Sequence, residues 1–158
     1  MRYVVVSAFF VITLAVLVWM SRDSNPLNEQ LSYGDCSNTT EEISKSHREY
    51  LLSYGWHIKS ICNSSKEFVH YYPESIESMQ IGGLNLEPYN NSGKEATKTT
   101  YVLKEKQKNG DRLSVTIYEI DGKLIGGYGI LDNWDPGIFS LSEKDRLIEE
   151  GIISGKKS

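Results

Sequence analysis

Histidine and cysteine are scarce in this chain, and their scarcity limits the chemistry that it can support. Its 158 residues include three histidines and two cysteines. The histidines, His47, His57 and His70, have neither the spacing nor the neighbouring ligands of a protein metal site. The glycine-rich stretch "GGYGIL" (residues 126–131) lies within a strand pattern and opens no helix, unlike a dinucleotide-binding loop. The sequence therefore predicts neither a metal ion nor a cofactor.

Positive charge is also in short supply. The chain has 17 lysines and arginines against 21 aspartates and glutamates, which gives a net charge of −4. A nucleic-acid-binding domain presents a basic face, and this composition does not favour one. We therefore predict no nucleic-acid partner.

Charge is missing altogether from residues 3–20, "YVVVSAFFVITLAVLVWM". As a helix, this run would be about 27 Å long, close to the hydrocarbon thickness of a bilayer. It exceeds the apolar region of roughly 7–15 residues in a secretory signal, and no small-residue cleavage site follows it. We predict a transmembrane anchor over residues 1–20. The alternative is a cleaved signal that releases a secreted domain.

The charges beside this run indicate an orientation. Arg2 and the terminal amine precede it, whereas Arg22 beyond it is followed by Asp23. This bias favours an amino terminus inside the cell and the remaining chain outside. The predicted location is the cell membrane, with one span and an extracytoplasmic domain.

The two cysteines, Cys36 and Cys62, fit an exported protein with one disulfide. A helix over residues 39–54 would run about 24 Å, and a strand over residues 56–62 would return about 23 Å. The cysteines would then finish close together, which argues against a cysteine nucleophile. Two free thiols remain the alternative. The polar residues 21–38 before the helix are predicted to form a linker.

The predicted domain, residues 39–150, begins with a helix. Thr39 and Glu42 form a capping-box pattern, and Gly55 ends the helix in a left-handed conformation. Spacings of three and four place one face of the helix towards the core: Ile43, His47, Tyr50, Leu51 and Tyr54. Strands are predicted over residues 56–62 and 66–73, separated by a turn at "NSS" (residues 63–65), with a short helix beginning at Pro73.

Two hairpins complete the predicted sheet. A turn at Asp121 and Gly122 joins two strands, pairing Ile117 with Gly126, Val115 with Tyr128 and Leu113 with Ile130. A strand over residues 95–106 precedes them through a loop at residues 108–110, pairing Leu103 with Val115 and Tyr101 with Ile117. A last helix follows Ser142 and closes at Gly151, and residues 151–158 form a tail. The predicted fold class is α+β: a transmembrane helix, a helix packed on an antiparallel sheet, and a short C-terminal helix.

The same register predicts a candidate binding surface. It aligns Ser114 with Gly129 and Thr116 with Gly127, and Tyr118 borders this strip of small side chains. A partner strand or peptide could approach the backbone closely there. The alternative is that a helix of the protein itself covers the strip.

Four phrases occur in order along the chain: "YLLSYGW" (residues 50–56), "GLNLEPY" (83–89), "GKEATKTTY" (93–101) and "DGKLIGG" (121–127). In this ordered set the chain resembles an uncharacterised family of small exported proteins from Bacillus- and Clostridium-like bacteria. The resemblance implies a secreted or membrane-linked location and no known activity. The helix followed by an antiparallel sheet is also similar in architecture to cystatin-like and PepSY-like modules, which bind or restrain peptidases.

These observations predict a non-enzymatic binding or regulatory domain at the outer face of a membrane. Its expected partner is an envelope protein or a peptide. The alternative is an enzyme or a small-ligand-binding domain whose polar residues converge only in the fold, with Glu95, Lys98, Glu119 and Lys123 as candidates.

Overall fold

The computed structural model describes residue 36, residues 42–135 and residues 137–155. The fold is α+β, with a five-stranded antiparallel sheet whose strands lie side by side in chain order. The strands are β1 (Ile58–Phe68), β2 (Glu95–Lys106), β3 (Arg112–Ile120), β4 (Lys123–Leu131) and β5 (Ile138–Phe139). The helices are α1 (Lys45–Ser53), α2 (Pro73–Ile81) and α3 (Lys144–Glu149), with 3-10 turns at Glu87–Tyr89 and Leu141–Glu143.

The predicted anchor over residues 1–20 and most of the predicted linker lie outside the described residues. Among the helices that are described, none has the length and apolar character needed to cross a bilayer.

Apolar clusters lie on both faces of the sheet. Successive residues of a strand point to opposite faces, so Val115 defines a first face and Thr116 a second. On the first face, α1 and α3 contribute Leu51 and Leu147 to a core that includes Trp56. On the second face, the buried side chains of α2 pack with residues of β2, β3 and β4.

Helix α1 is shorter than predicted. It begins at Lys45, and residues 42–44 before it are not helical; Thr39 lies outside the described residues. The prediction for Tyr54 was wrong, because it is 37% exposed. Tyr54 follows the last helical residue and has φ −99° and ψ 5°. Because this conformation is not helical, its side chain does not continue the buried face of the helix. Gly55 has a φ of 80° and ends the helix as predicted.

The two strands predicted over residues 56–62 and 66–73 are one strand, β1. The "NSS" segment lies inside it, with Asn63 opposite Thr100 and Ser64 opposite Thr99. Two irregularities near Cys62 shift the pairing between β1 and β2, but the chain does not turn back there. Helix α2 begins at Pro73 as predicted.

Strand β2 has the predicted bounds, and the β2–β3 hairpin has the predicted loop. Gly110 has a φ of 92° and donates a hydrogen bond of 3.0 Å to the Gln107 carbonyl. The predicted register was wrong, because Tyr101 pairs with Val115. A bulge between Val102 and Lys106 shifts the ladder by two residues. A shift of two preserves the side-chain faces, so Tyr101 and Val115 are both buried on the first face.

The β3–β4 hairpin has the predicted two-residue turn. Asp121 and Gly122 have φ values of 52° and 71°, as a type I′ turn requires. The predicted register fails beyond the turn: Glu119 pairs with Leu124, but Tyr118 pairs with Gly126. Ile125 is the extra residue of a bulge. The predicted pairs of Ile117, Val115 and Leu113 are therefore all wrong by one residue; their partners are Gly127, Gly129 and Leu131.

The predicted disulfide is present in the structure. Cys36 and Cys62 are bonded, with sulfur atoms 1.99 Å apart and Cα atoms 4.4 Å apart. The bond closes a loop with a sequence separation of 26. In the chain-entropy account, such a crosslink lowers the free energy of folding by about 3.5 kcal/mol.

The C-terminal helix starts later than predicted, and the packed domain extends beyond residue 150. The capping box is formed by Ser140 and Glu143 before the 3-10 turn, and α3 follows from Lys144. Gly151, with a φ of 73°, closes the helix as predicted. Ile153 is 1% exposed and pairs with Gln107, so the predicted tail contributes to the core.

Candidate functional site

The predicted strip of small side chains does not form one surface. The bulge at Ile125 turns Gly127 and Gly129 to the first face, whereas the predicted strip residues of β3 lie on the second. All five residues are buried: Ser114, Thr116, Tyr118, Gly127 and Gly129. The strip prediction was therefore wrong in its register, and these residues offer no exposed groove.

The two glycines of this strip make room for packing. A Cβ atom on Gly129 would lie 2.0 Å from Cζ of Phe139, inside the space that the ring occupies. A Cβ atom on Gly127 would lie 2.4 Å from the Thr116 carbonyl oxygen. Both positions are glycine because the protein's own atoms approach the backbone closely.

The four ionisable candidates do not converge either. Glu95 and Glu119 lie on the first face, while Lys98 lies on the second and Lys123 is exposed where β4 begins. Three of them have separate neighbours within 4 Å: Lys66 for Glu95, Glu67 for Lys98 and the imidazole of His47 for Glu119. Within residues 42–135 and 137–155, no three histidine, cysteine, aspartate or glutamate side chains gather as metal ligands.

A buried histidine connects α1 to the first face. His47 is 2% exposed, and its Nδ1 lies 2.7 Å from the hydroxyl of Tyr101. Its Nε2 lies 3.2 Å from Oε1 of Glu119, but without hydrogen-bond geometry. A buried imidazole needs polar partners, so this contact positions the helix on the sheet. The helical spacing predicted the buried position of His47 but not the tyrosine that it meets.

A second ionic cluster fastens α3 to β2. The Glu105 carboxylate accepts a hydrogen bond of 2.8 Å from Lys144 and lies 2.9 Å from Nδ1 of His57. Lys144 also lies 4.7 Å from the centre of the Trp56 ring. Burial raises the pKa of Glu105, but hydrogen bonds from His57 and Lys144 outweigh it and hold the pKa below its ordinary value.

Tyrosine hydroxyls supply the polar contacts of the second face. Tyr71 donates a hydrogen bond to Glu67, and its hydroxyl lies 3.3 Å from that of Tyr118. The Tyr118 ring lies 6.3 Å from the ring of Tyr128. Burial raises the pKa of all three tyrosines, so their hydroxyls stay protonated at neutral pH. Through Tyr71, this cluster connects the chain just before α2 to the sheet.

Among the described residues, the outer edge of β1 is a feature with binding capacity. Strand β1 pairs with β2 along one side, and no described strand pairs with its other side. Residues 63–66 are all exposed. By contrast, the opposite edge strand of the sheet, β5, has two residues, and its Phe139 is buried. Of the two outer edges of the sheet, the edge of β1 is therefore the longer.

The hydrogen bonds of Val69 show which backbone groups point outward. Its N–H donates to the Lys94 carbonyl and its carbonyl accepts from the Asn91 N–H, each at 2.9 Å. The backbone N–H and C=O of Val69 therefore point towards the β2 side of the strand. Alternation along an antiparallel ladder then directs the backbone groups of Ser64, Lys66 and Phe68 to the open edge. We call residues 63–68 the open edge. A row of unpaired backbone groups is a template for an added strand.

Sequence reasoning missed this edge because "NSS" is typical of a turn. The available signal was the uninterrupted stretch from Ile58 to Phe68, which contains no glycine or proline. Glycine and proline are the strongest turn residues, and their absence favours a continuous strand.

Comparison with protein-family models, with curated proteins and with solved structures finds no match to this chain. The resemblance to exported bacterial proteins stays a prediction.

Proposed function

We propose that this chain is a membrane-anchored, extracytoplasmic binding or regulatory domain that captures an extended segment of an envelope protein or peptide. The observation that carries the proposal is the open edge of β1. The captured segment would add as a sixth strand to the five-stranded sheet.

The proposed location draws on two features of the chain. Residues 3–20 have the length and apolar character of a membrane span. The bond between Cys36 and Cys62 belongs to a class that persists in oxidising compartments outside the cytoplasm. In the alternative of a cleaved signal, the same domain is secreted and its binding mode is unchanged.

The proposed absence of catalysis draws on the side-chain contacts. His47, Glu105 and Glu67 are the acid–base groups best placed for chemistry, and each holds structural elements together. The alternative of an enzyme or small-ligand-binding domain needs its ionisable groups to converge, but Glu95 and Glu119 lie on the first face of the sheet and Lys98 on the second. This division favours binding over an active site, which requires convergent groups.

Backbone pairing alone would give weak capture. Ser64, Lys66 and Phe68 each offer one N–H and one carbonyl, and each hydrogen bond contributes about 1 kcal/mol net. Their sum, about 6 kcal/mol, is comparable to the cost of association, about 4–15 kcal/mol. Side-chain contacts beside the edge must therefore supply affinity and selectivity.

Photo-crosslinking in native cells tests the proposal. A photoreactive amino acid at Ser65, on the open edge, is expected to trap an envelope protein or peptide that mass spectrometry identifies. The control is the same group at Asn109, which is exposed in the β2–β3 loop. Identical adducts from both positions, or none from Ser65, would contradict capture at this edge.

The location has its own test. We expect the chain to remain with membranes after alkaline carbonate extraction, and its domain to be digested when protease is added to intact spheroplasts. Recovery in the culture medium would identify the secreted alternative. Protection from protease in intact spheroplasts would contradict an extracytoplasmic domain.

A further inference from the structure

We infer that the segment captured by β1 carries a large apolar residue followed, two residues later, by an acidic residue, and that it binds antiparallel to β1. This inference rests on the proposed function and names the chemistry of its partner. The side chains of Lys66 and Phe68 carry it.

The register places these two side chains on one face of the sheet. Lys66 lies opposite Thr97 and Phe68 opposite Glu95, which puts both on the first face. A residue directly opposite in an added antiparallel strand has its Cβ about 4.5–5.5 Å away on the same face. The partner residues opposite Phe68 and Lys66 therefore contact these side chains.

Phe68 selects an apolar neighbour. Phe68, the last residue of β1, is 69% exposed, whereas Ile58 and Ile61 of the same strand are buried. An aromatic or large aliphatic side chain opposite it would remove apolar surface of both residues from water. Aromatic and aliphatic cross-strand pairs are among the more favourable ones.

Lys66 selects an acidic neighbour. Its side chain is 68% exposed, and its ammonium group lies 3.6 Å from Oε2 of Glu95, which is itself 49% exposed. An exposed pair of this kind is weak, so Lys66 can exchange it for a carboxylate on the partner. A basic residue at the same place would be repelled, which also keeps unsuitable strands from the edge.

The second face adds no acidic preference. Glu67 already accepts a hydrogen bond from Tyr71 and lies 3.8 Å from Lys98. Its neighbours along the edge on this face, Asn63 and Ser65, are neutral. An acid opposite Glu67 would be repelled, so the charge preference belongs to the residue opposite Lys66.

The direction of the partner follows from the sheet. All four strand pairs are antiparallel, and antiparallel pairing is slightly more stable per residue than parallel pairing. In this direction the residue opposite Phe68 precedes the residue opposite Lys66. The pattern from amino to carboxyl terminus is therefore apolar, any non-acidic residue, acidic.

Labelled synthetic peptides test the inference with the whole chain in detergent micelles. One capped peptide carries tyrosine and glutamate two residues apart in a threonine background; a second carries lysine in place of the glutamate. Fluorescence anisotropy measures Kd. We expect the glutamate peptide to bind about five- to tenfold more tightly than the lysine peptide. The reason is that the glutamate forms an exposed charge pair with Lys66, whereas the lysine is repelled by it.

Variants separate charge selection from strand addition. Lys66→Glu should reverse the preference between the two peptides, and Phe68→Ser should weaken binding of both peptides about fivefold, because both carry the tyrosine. The matched control is Lys45→Glu, since Lys45 is also an exposed lysine with a glutamate nearby, at 3.7 Å. It should leave both affinities unchanged. Lys66→Pro removes an outward N–H without removing a ladder bond, and it should weaken binding of both peptides by about fivefold or more.

Each outcome decides a different claim. An unchanged preference in Lys66→Glu, or no binding of either peptide to the unmodified chain, overturns the inferred partner chemistry. In that case the crosslink from Ser65 still decides the proposed function. Undiminished binding to Lys66→Pro, with chemical shifts of the core preserved, overturns strand addition itself.

Discussion

The two faces of the sheet are stabilised in different ways. The first face is covered by α1 near the start of the described domain and by α3 near its end, which bring large apolar side chains and one histidine. The second face is covered by α2 and the loop after it, which lie between β1 and β2 in the chain. Closing the first face therefore requires contacts between distant parts of the sequence, whereas the second face is closed mainly by a local excursion.

The faces also differ in how their polar groups are satisfied. His47 on the first face is 2% exposed and depends on Tyr101 for a close polar contact. On the second face, the Glu67 side chain that Tyr71 contacts is 32% exposed, so water reaches it. A lost polar contact should consequently cost more on the first face than on the second.

The largest expected effect is loss of the tryptophan that anchors the first face. Trp56 is fully buried and donates a hydrogen bond of 2.8 Å to the Leu141 carbonyl. Trp56→Ala should lower the free energy of unfolding by about 3–5 kcal/mol, as measured by urea denaturation. Trp134→Ala is the control, because Trp134 is 50% exposed, and it should cost much less. Equal losses would contradict the role of the buried Trp56 side chain as an anchor of the first face.

The next effect tests the close packing of Gly129 against β5. Gly129→Ala should destabilise the domain by about 2–3 kcal/mol, because its Cβ would overlap the ring of Phe139. Combining it with Phe139→Leu should recover part of this loss, since the smaller side chain relieves the overlap. Additive losses in the double-mutant cycle would contradict a direct clash.

The turns and bulges of the hairpins show how far the sequence could predict the sheet. The turns at Gly110 and Gly122 follow from residue types that favour positive φ, and both were predicted correctly. The bulges between Val102 and Lys106 and at Ile125 were not, because they depend on packing between distant residues. At β2–β3 the bulge shifts the register by two and leaves the faces intact. At β3–β4 it shifts by one, which turned the predicted binding strip into two buried sets.

The contacts of α1 also show that the sequence predicts local geometry but not contacts between distant residues. Periodicity predicted that Leu51 and His47 face the core, since that depends on helix geometry alone. It could not predict that Tyr101 meets His47, because 54 residues separate them. The open edge of β1 was missed because a polar exposed strand and a polar turn have similar compositions.

A pair of hydroxyl deletions sharpens the contrast between the faces. Tyr101→Phe leaves Nδ1 of the buried His47 without its contact and should cost about 2 kcal/mol. Tyr71→Phe leaves the partly exposed Glu67 to water and should cost less than about 1 kcal/mol. Urea denaturation of both variants measures the difference. A larger cost for Tyr71→Phe would reverse the assignment of the more demanding polar site.

The smallest effect is the acid dependence of the contact between α3 and β2. The folded-state pKa of Glu105 is below its ordinary value of 4.5, so its ionised form stabilises the fold above that pH. As pH falls through the lowered pKa, this contribution is lost. The stability difference between the unmodified chain and Glu105→Gln should therefore be about 1 kcal/mol at neutral pH and shrink in acid. In Glu49→Gln, a change at an exposed glutamate on α1, the acid-dependent loss should persist. A difference between the unmodified chain and Glu105→Gln that stays constant from neutral pH to pH values below 4.5 would show that the charge of Glu105 does not hold α3 in place.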